Sequence, residues 1–174
     1  GASAADPILF QDLRIEPDNV HGFYVPSGAV SYVKLDNVVV NGTNLNYNTE
    51  MENGLRVNPT ASLTNLEVVD SAFDNLTYGW YLFKEVSADT STVSQVSVTD
   101  TSFTHNSAKG IYAEKLSDAT FARVTVHQNG FESAFFNATW NAGIDLNLKA
   151  GTYQNISFVD CAFTDNAQGM KEGC

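Results

Sequence analysis

A recurring glycine constrains this chain more than any other feature. Each copy follows a polar loop and opens a short run in which every second residue is apolar. The intervals between successive copies are 25 to 33 residues, the length of one supersecondary unit rather than of a domain. The six glycines are Gly22, Gly54, Gly79, Gly110, Gly143 and Gly169. The sequence therefore predicts a repeat protein built from short strands.

Two further apolar columns precede each glycine. The first is a pair two residues apart: Leu13/Ile15, Val33/Leu35, Leu66/Val68, Val96/Val98, Val124/Val126 and Ile156/Phe158. The second column follows five residues later: Val20, Val40, Phe73, Phe103, Phe131 and Phe163. Such alternation predicts strands with one buried face, and the aromatic members of the second column predict rings stacked inside the molecule.

Three short strands and their turns consume about 30 residues, whereas a propeller blade needs roughly 40–50. The runs of the form Val-X-Val-X-Asp-X-X-Phe and the turns from Asn to Gly, such as Asn106-Ser-Ala-Lys-Gly110, resemble the pectate-lyase-like superfamily. That resemblance covers residues 8–174. It implies an all-β fold, a right-handed single-stranded parallel β-helix (solenoid) of about six coils. We expect residues 1–174 to form one domain, either a fragment or a partner-capped portion of a longer solenoid, able to self-associate end to end or side by side through uncapped coils.

Composition limits the partners. The net charge is −11 with only nine Lys and Arg, which argues against binding nucleic acid or an anionic membrane. No apolar run approaches the ~18 residues of a membrane span. The resemblance implies a secreted, extracellular or cell-surface protein that acts on polysaccharide.

Cofactor and cysteine chemistry stay open at this stage. A polar column, Asp70, Asp100, Gln128 and Asp160, would stack carboxylates between repeats. We expect capped turns there, with bound Ca²⁺ as the alternative. Cys161 and Cys174 fit no metal motif and are either two thiols or a disulfide.

The outward parity of the strand after each glycine is unusually rich in aromatic and charged residues. Loops 42–53 and 132–142 are the longest insertions before this strand, and we expect them to wall a groove on either side of the third and fourth repeats. The predicted substrate-binding residues are Tyr24, Tyr81, Phe83, Lys84, Asn147 and Trp140. Aromatic floors and loop walls suit an extended, acidic sugar chain.

Two reactions fit the predicted catalytic residues Tyr112, Glu114, Asp145, Arg56 and Lys115. In a lyase or C5-epimerase, a cation such as Arg56 or Lys115 would neutralise a uronate carboxylate while Tyr112 exchanges a proton. In a glycosidase, Glu114 and Asp145 would flank the bond at about 8 Å, within the inverting range.

The alternative is a non-catalytic module, such as an adhesin or a tailspike-like stalk. In that case the tyrosines are strand formers, and Glu114 and Asp145 are solvated residues paired with Lys115 or Arg56. Convergence of these charges in a groove would favour an enzyme, whereas local pairing would favour a scaffold.

Overall fold

The protein is all-β. A computed structural model describes residues 1–43, 52–84, 89–131 and 141–166, and within them there is no helix. Accordingly, none of the described residues belongs to a helix that is long and apolar enough to cross a membrane. Ten strands form the larger sheet: β1 (Ile8–Ile15), β3 (Ala29–Asn41), β5 (Ser62–Val69), β6 (Ala72–Asp74), β8 (Val93–Thr99), β9 (Ser102–Thr104), β11 (Ser117–Ala122), β12 (Thr125–His127), β14 (Ile156–Val159) and β15 (Ala162–Thr164).

The smaller sheet contains the strands that follow the repeated glycine. They are β2 (His21–Val25), β4 (Asn53–Val57), β7 (Tyr78–Leu82), β10 (Lys109–Ala113) and β13 (Ala142–Leu146). All pairings in both sheets are parallel, and each strand lies beside its equivalents in the preceding and following repeats. In the larger sheet, β3 is long enough to pair with both β5 and β6, so the two arms of that sheet meet on it.

The glycine column is confirmed for Gly22, Gly54, Gly79, Gly110 and Gly143, whereas Gly169 lies outside the described residues. The cause of the column is a close approach to the opposite sheet. A Cβ on Gly54 would lie 2.4 Å from a ring carbon of Phe73 and 2.5 Å from the carbonyl oxygen of Gly79. Gly79 meets Phe103 in the same way, at 2.7 Å. Only glycine lets the smaller sheet come this near to the stacked rings.

Those rings form the centre of the core. Phe73 and Phe103 stack with centroids 5.1 Å apart, and Trp80 of β7 meets both edge-on from the smaller sheet. All three side chains are fully buried. The predicted stacking is therefore confirmed for these two repeats.

The column assignment was wrong in two other repeats, each by five residues. In the first, Ile8 and Phe10 take the places beside Val33 and Leu35, and Ile15 rather than Val20 lies beside Val40. In the fifth, Ala119 and Phe121 take the places predicted for Val124 and Val126. Val126 instead lies between Phe103 and Phe163, so Phe131 is 57% exposed. The error arose because residues five apart repeat the same apolar spacing along these two segments.

A left-handed residue marks a bend in each repeat of the larger sheet, within β1 and β3 in the first two repeats and between two consecutive strands in the others. The residue at this bend has φ between 49° and 54° in every repeat. The column is Asp12, Asn37, Asp70, Asp100, Arg123 and Asp160. Asp and Asn tolerate this conformation better than most residues, which explains the polar column in the sequence.

Arg123, not Gln128, interrupts the carboxylates of this column. Its guanidinium donates to both carboxylate oxygens of Asp100, at 2.7 and 2.6 Å, and lowers the pKa of that carboxyl group. The Arg123 guanidinium therefore neutralises the Asp100 carboxylate, a role for which bound Ca²⁺ was the alternative. Among the described residues, no group of three or more His, Cys, Asp or Glu side chains is arranged to hold a metal ion. Cys161 is a free thiol, and Cys174 lies outside the described residues.

A second internal column is made of asparagines. Asn129 accepts hydrogen bonds from the backbone N–H and the side-chain amide of Asn106, at 3.1 and 2.8 Å. Asn166 accepts the same two bonds from Asn129. This column stabilises the loop that leads into the smaller sheet, because each buried amide satisfies the backbone of the repeat before it.

Candidate functional site

The outward face of the smaller sheet carries one continuous row of side chains. Strand register places Tyr24, Arg56, Tyr81, Tyr112 and Asp145 side by side, as the sequence predicted. Tyr24 is 48% exposed and the other four are half-buried. We call this set the tyrosine row.

The middle of the row is a set of nearly parallel rings. Tyr81 stacks on Tyr112 with centroids 5.5 Å apart and an interplanar angle of 21°. Phe83 also stacks on Tyr81, with centroids 5.5 Å apart. Tyr78, which the sequence did not single out, packs beneath them at 4.8 Å from Tyr81. Together these rings make an aromatic surface with polar edges.

One end of the row is cationic. The Arg56 guanidinium lies 5.3 Å from the centroid of the Tyr81 ring and donates to Asn58 Oδ1 at 2.8 Å. Asn58 in turn donates to Tyr24 Oη at 2.6 Å. Arg56 makes no ion pair with any residue in the described ranges. Its charge is therefore open to a ligand.

Glu114 lies at the far edge of the rings but is buried, with 2% of its side chain exposed. Its carboxylate accepts from the Tyr112 hydroxyl at 2.6 Å and from the backbone N–H of Lys84 at 2.8 Å. Lys149 completes the set with an ion pair at 2.9 Å. The expectation of a solvated Glu114 paired with Lys115 or Arg56 is wrong, because the strand end turns the side chain inward.

Asp145 is neutralised separately. Its carboxylate pairs with the Lys109 ammonium, which also lies 4.2 Å from the centroid of the Tyr112 ring. Lys109 is the first residue of β10, and the chain turns as it enters that strand. Inward-facing and outward-facing residues do not alternate strictly at this position. The sequence pattern therefore did not indicate Lys109 as the partner of Asp145.

Two phenols of the row, those of Tyr81 and Tyr112, have raised pKa values. Burial and the hydrogen bond to Glu114 raise the pKa of Tyr112 well above its ordinary value. Burial, with a smaller effect from Glu114, raises the pKa of Tyr81. Tyr112 is consequently a hydrogen-bond donor at neutral pH, and Asn147 donates to its oxygen at 3.0 Å.

The Lys115 side chain does not lie on this face, contrary to its predicted outward position. It runs into the protein and is fully buried. Its ammonium donates to the carbonyl oxygens of Asn58 and Ala61 at 2.7 and 2.6 Å, and to Ser91 Oγ at 2.8 Å. Burial lowers the pKa of Lys115 to about 8, although Asp89 opposes that shift.

Lys84, which was predicted to bind substrate on this face, is buried and does not belong to the tyrosine row. Its ammonium donates to Tyr153 Oη at 3.0 Å, and Tyr153 was also missed in the sequence. Trp140 and most of the two predicted wall loops, residues 44–51 and 132–140, lie outside the described residues.

Comparisons of the chain with protein-family models, curated proteins and solved structures return no match. The function of this face is therefore inferred from its own residues.

Proposed function

We propose that the two sheets are walls of a right-handed single-stranded parallel β-helix of about six coils, whose tyrosine row binds an extended, acidic polysaccharide outside the cell. The strand order supports the β-helix, because the chain alternates between the sheets and, from β5 onward, each described repeat adds two parallel strands to the larger sheet before the chain returns to the smaller one. A crystal structure tests the handedness and the coil count directly.

The stacked rings of Tyr81, Tyr112 and Phe83 are the observation on which the binding proposal depends. Tyrosine offers an apolar ring face with a polar tip, so it can contact the C–H face of a sugar while its hydroxyl stays hydrogen-bonded. The rings are already fixed by mutual stacking and by Glu114, so little side-chain entropy is lost on binding.

Arg56 supports an acidic ligand. It is the cation of the row that has no carboxylate partner among the described residues, whereas Lys109 and Lys149 are engaged by Asp145 and Glu114. A guanidinium held over a ring can receive a carboxylate in a bidentate manner. Recognition of a uronate-containing chain follows from this chemistry.

The arrangement of the carboxylates favours binding over catalysis. Glu114 and Asp145 each have a lysine partner, which is the local pairing expected of a non-catalytic surface. A general base must be deprotonated before it can accept a proton, and the raised pKa of Tyr112 keeps its phenol protonated at neutral pH. Lyase or epimerase chemistry is therefore the second candidate: Arg56 would neutralise the uronate, and Tyr112 would have to lose its own proton to solvent before it could take the proton next to the carboxylate.

A glycan array followed by calorimetry with the best acidic oligosaccharide tests the binding proposal. We expect Tyr81→Ala to weaken binding by at least tenfold, because it removes the central ring. Tyr32→Ala, on the larger sheet, is the matched control and should bind like the wild type. Equal affinities for the two variants, or no glycan bound by the wild type, would contradict the proposal.

Arg56→Gln separates acidic from neutral recognition. This variant should lose the preference for uronate chains while retaining residual affinity for their neutral counterparts, and Arg123→Gln should change neither. For the catalytic candidate, the assay is the appearance of unsaturated-uronate absorbance, with and without calcium. NMR of uronate composition detects an epimerase, and silence in both assays would exclude this chemistry for the glycans tested.

A further inference from the structure

A polar cavity of about 330 Å³ opens beside Lys84, away from the tyrosine row. Residues from two chain segments line it, among them Lys84, Asp89, Ser91, Gly151 and Tyr153. Small-molecule sites in proteins begin at roughly 300 Å³. The cavity can therefore receive a ligand the size of one sugar ring or smaller.

Lys84 gives this cavity its charge. Only 5% of the residue is exposed, and its ammonium lies against Tyr153, 3.0 Å from the hydroxyl and 5.5 Å from the ring centroid. An ammonium has three N–H donors, and the described residues engage one of them. No carboxylate in the described ranges pairs with Lys84. Burying such a cation without a counter-charge is unfavourable.

The neighbouring carboxylates are committed to other donors. Asp89 accepts from the backbone N–H groups of Ser91 and Thr60 at 2.8 and 3.1 Å. Glu114 is occupied by Tyr112, Lys149 and the backbone of Lys84. Neither carboxylate therefore neutralises the Lys84 ammonium directly.

The local charge is correspondingly positive. Three ammonium groups, those of Lys84, Lys115 and Lys149, lie around two carboxylates, those of Asp89 and Glu114. Among the described residues one positive charge is therefore left without a partner, and a single negative charge entering the cavity would complete the balance.

We propose that this cavity binds a carboxylate group, with the Lys84 ammonium as its charge partner and the hydroxyls around it as neutral donors. Thr90, Thr92 and Thr152 supply the hydroxyls of this lining, whereas the Ser91 hydroxyl accepts from Lys115 and donates to Asp89. This site is separate from the polysaccharide-binding proposal, since it does not use the rings of Tyr81, Tyr112 or Phe83. The carboxylate can come from a sugar acid or from a small free acid.

Calorimetric or NMR titrations of the whole chain with sodium D-glucuronate, sodium acetate, sodium sulfate and D-glucose test the proposal. Saturable binding of D-glucuronate well above that of acetate identifies a sugar acid as the ligand, whereas equal binding of the two identifies a free carboxylate. Binding of neither carboxylate, or glucose bound as tightly as glucuronate, would overturn the proposal. A preference for sulfate over both carboxylates would do the same.

Variants locate the binding to the cavity. Lys84→Met keeps the length of the side chain and should weaken carboxylate binding about 10- to 100-fold, the usual value of a charge-assisted hydrogen bond in a buried site. Lys84→Arg should retain part of the affinity, because it keeps the charge. Unchanged affinity in Lys84→Met would overturn the assignment.

Thr90→Val provides a milder variant on the rim of the cavity, in case Lys84→Met does not fold, and should weaken binding severalfold. Tyr81→Ala should leave carboxylate binding intact. Failure of the tyrosine row to bind glycan is thereby distinguished from failure of this cavity to bind a carboxylate.

Discussion

The buried ammonium of Lys115 predicts that the protein becomes more stable as the pH rises above 8. Its pKa is about 8 in the folded protein, compared with the ordinary 10.5. Between these values the unfolded chain binds more protons than the folded protein, so the free energy of unfolding increases with pH. The ammonium donates to Asn58, Ala61 and Ser91, and its burial is what disfavours the charged form.

The magnitude follows from the size of the shift. Each pH unit in the window is worth at most about 1.4 kcal/mol. Between pH 8 and 9.5 the gain is therefore about 1–2 kcal/mol, or roughly 2–8 °C in Tm for a chain of this length. Above about pH 10 the trend should reverse, since Tyr78, Tyr81 and Tyr112 have raised pKa values and the folded protein then retains more protons.

Thermal unfolding at constant ionic strength from pH 7.5 to 9.5 measures the effect. The wild type is compared with Lys115→Met, which cannot titrate but experiences the same change in overall charge. The pH slope attributed to Lys115 should disappear in this variant and persist in Lys34→Met, whose lysine is partly exposed and paired with Glu67. Parallel slopes for the wild type and Lys115→Met would refute the reasoning.

Three further predictions concern the repeats. Phe103→Ala should lower the free energy of unfolding in urea by about 3–5 kcal/mol, since the ring is fully buried. Phe131→Ala removes an exposed ring and should change it by less than about 0.5 kcal/mol. Similar losses in the two variants would contradict the assignment of Val126, rather than Phe131, to the buried column. Asn129→Ala should cost more than about 2 kcal/mol by the same measurement, because it leaves buried amides unpaired, and Asn147→Ala is the exposed control. Light scattering should detect self-association through the exposed first strand, weakened by Leu9→Lys, and a monomer at every concentration would contradict that expectation.

Sequence reasoning succeeded where one side-chain type had one structural cause. The glycine column is readable because a Cβ would clash with the rings opposite, so no other residue serves at Gly54 or Gly79. Alternation in the strand after each glycine is equally clear, since one face packs on the core and the other meets solvent.

The two shifted repeats show the limit of this reasoning. Apolar residues recur at intervals of two and five, and the segment around Val124 satisfies that spacing in two registers. The correct register places Ala119 in the column, and alanine is a weaker apolar signal than the valines that competed with it. The two registers differ in which residue is buried beside Phe103, Val126 or Phe131. The difference in packing between these two side chains decides the register, and the apolar spacing carries no information about it.

Glu114 shows why the site was harder to predict than the fold. The sequence placed Glu114 in the strand beside Tyr112 but predicted Lys115 or Arg56 as its partner and an outward side chain, whereas the carboxylate is buried and accepts from Tyr112 and the backbone of Lys84. The carboxylate turns inward because the backbone N–H of Lys84 needs an acceptor where β7 has ended, and Lys149, 35 residues further along the chain, supplies the counter-charge. Buried in this way, the carboxylate accepts from the Tyr112 hydroxyl and orients that ring. For this reason the rings and Arg56, rather than the acids, are the part of the face that is open to a ligand.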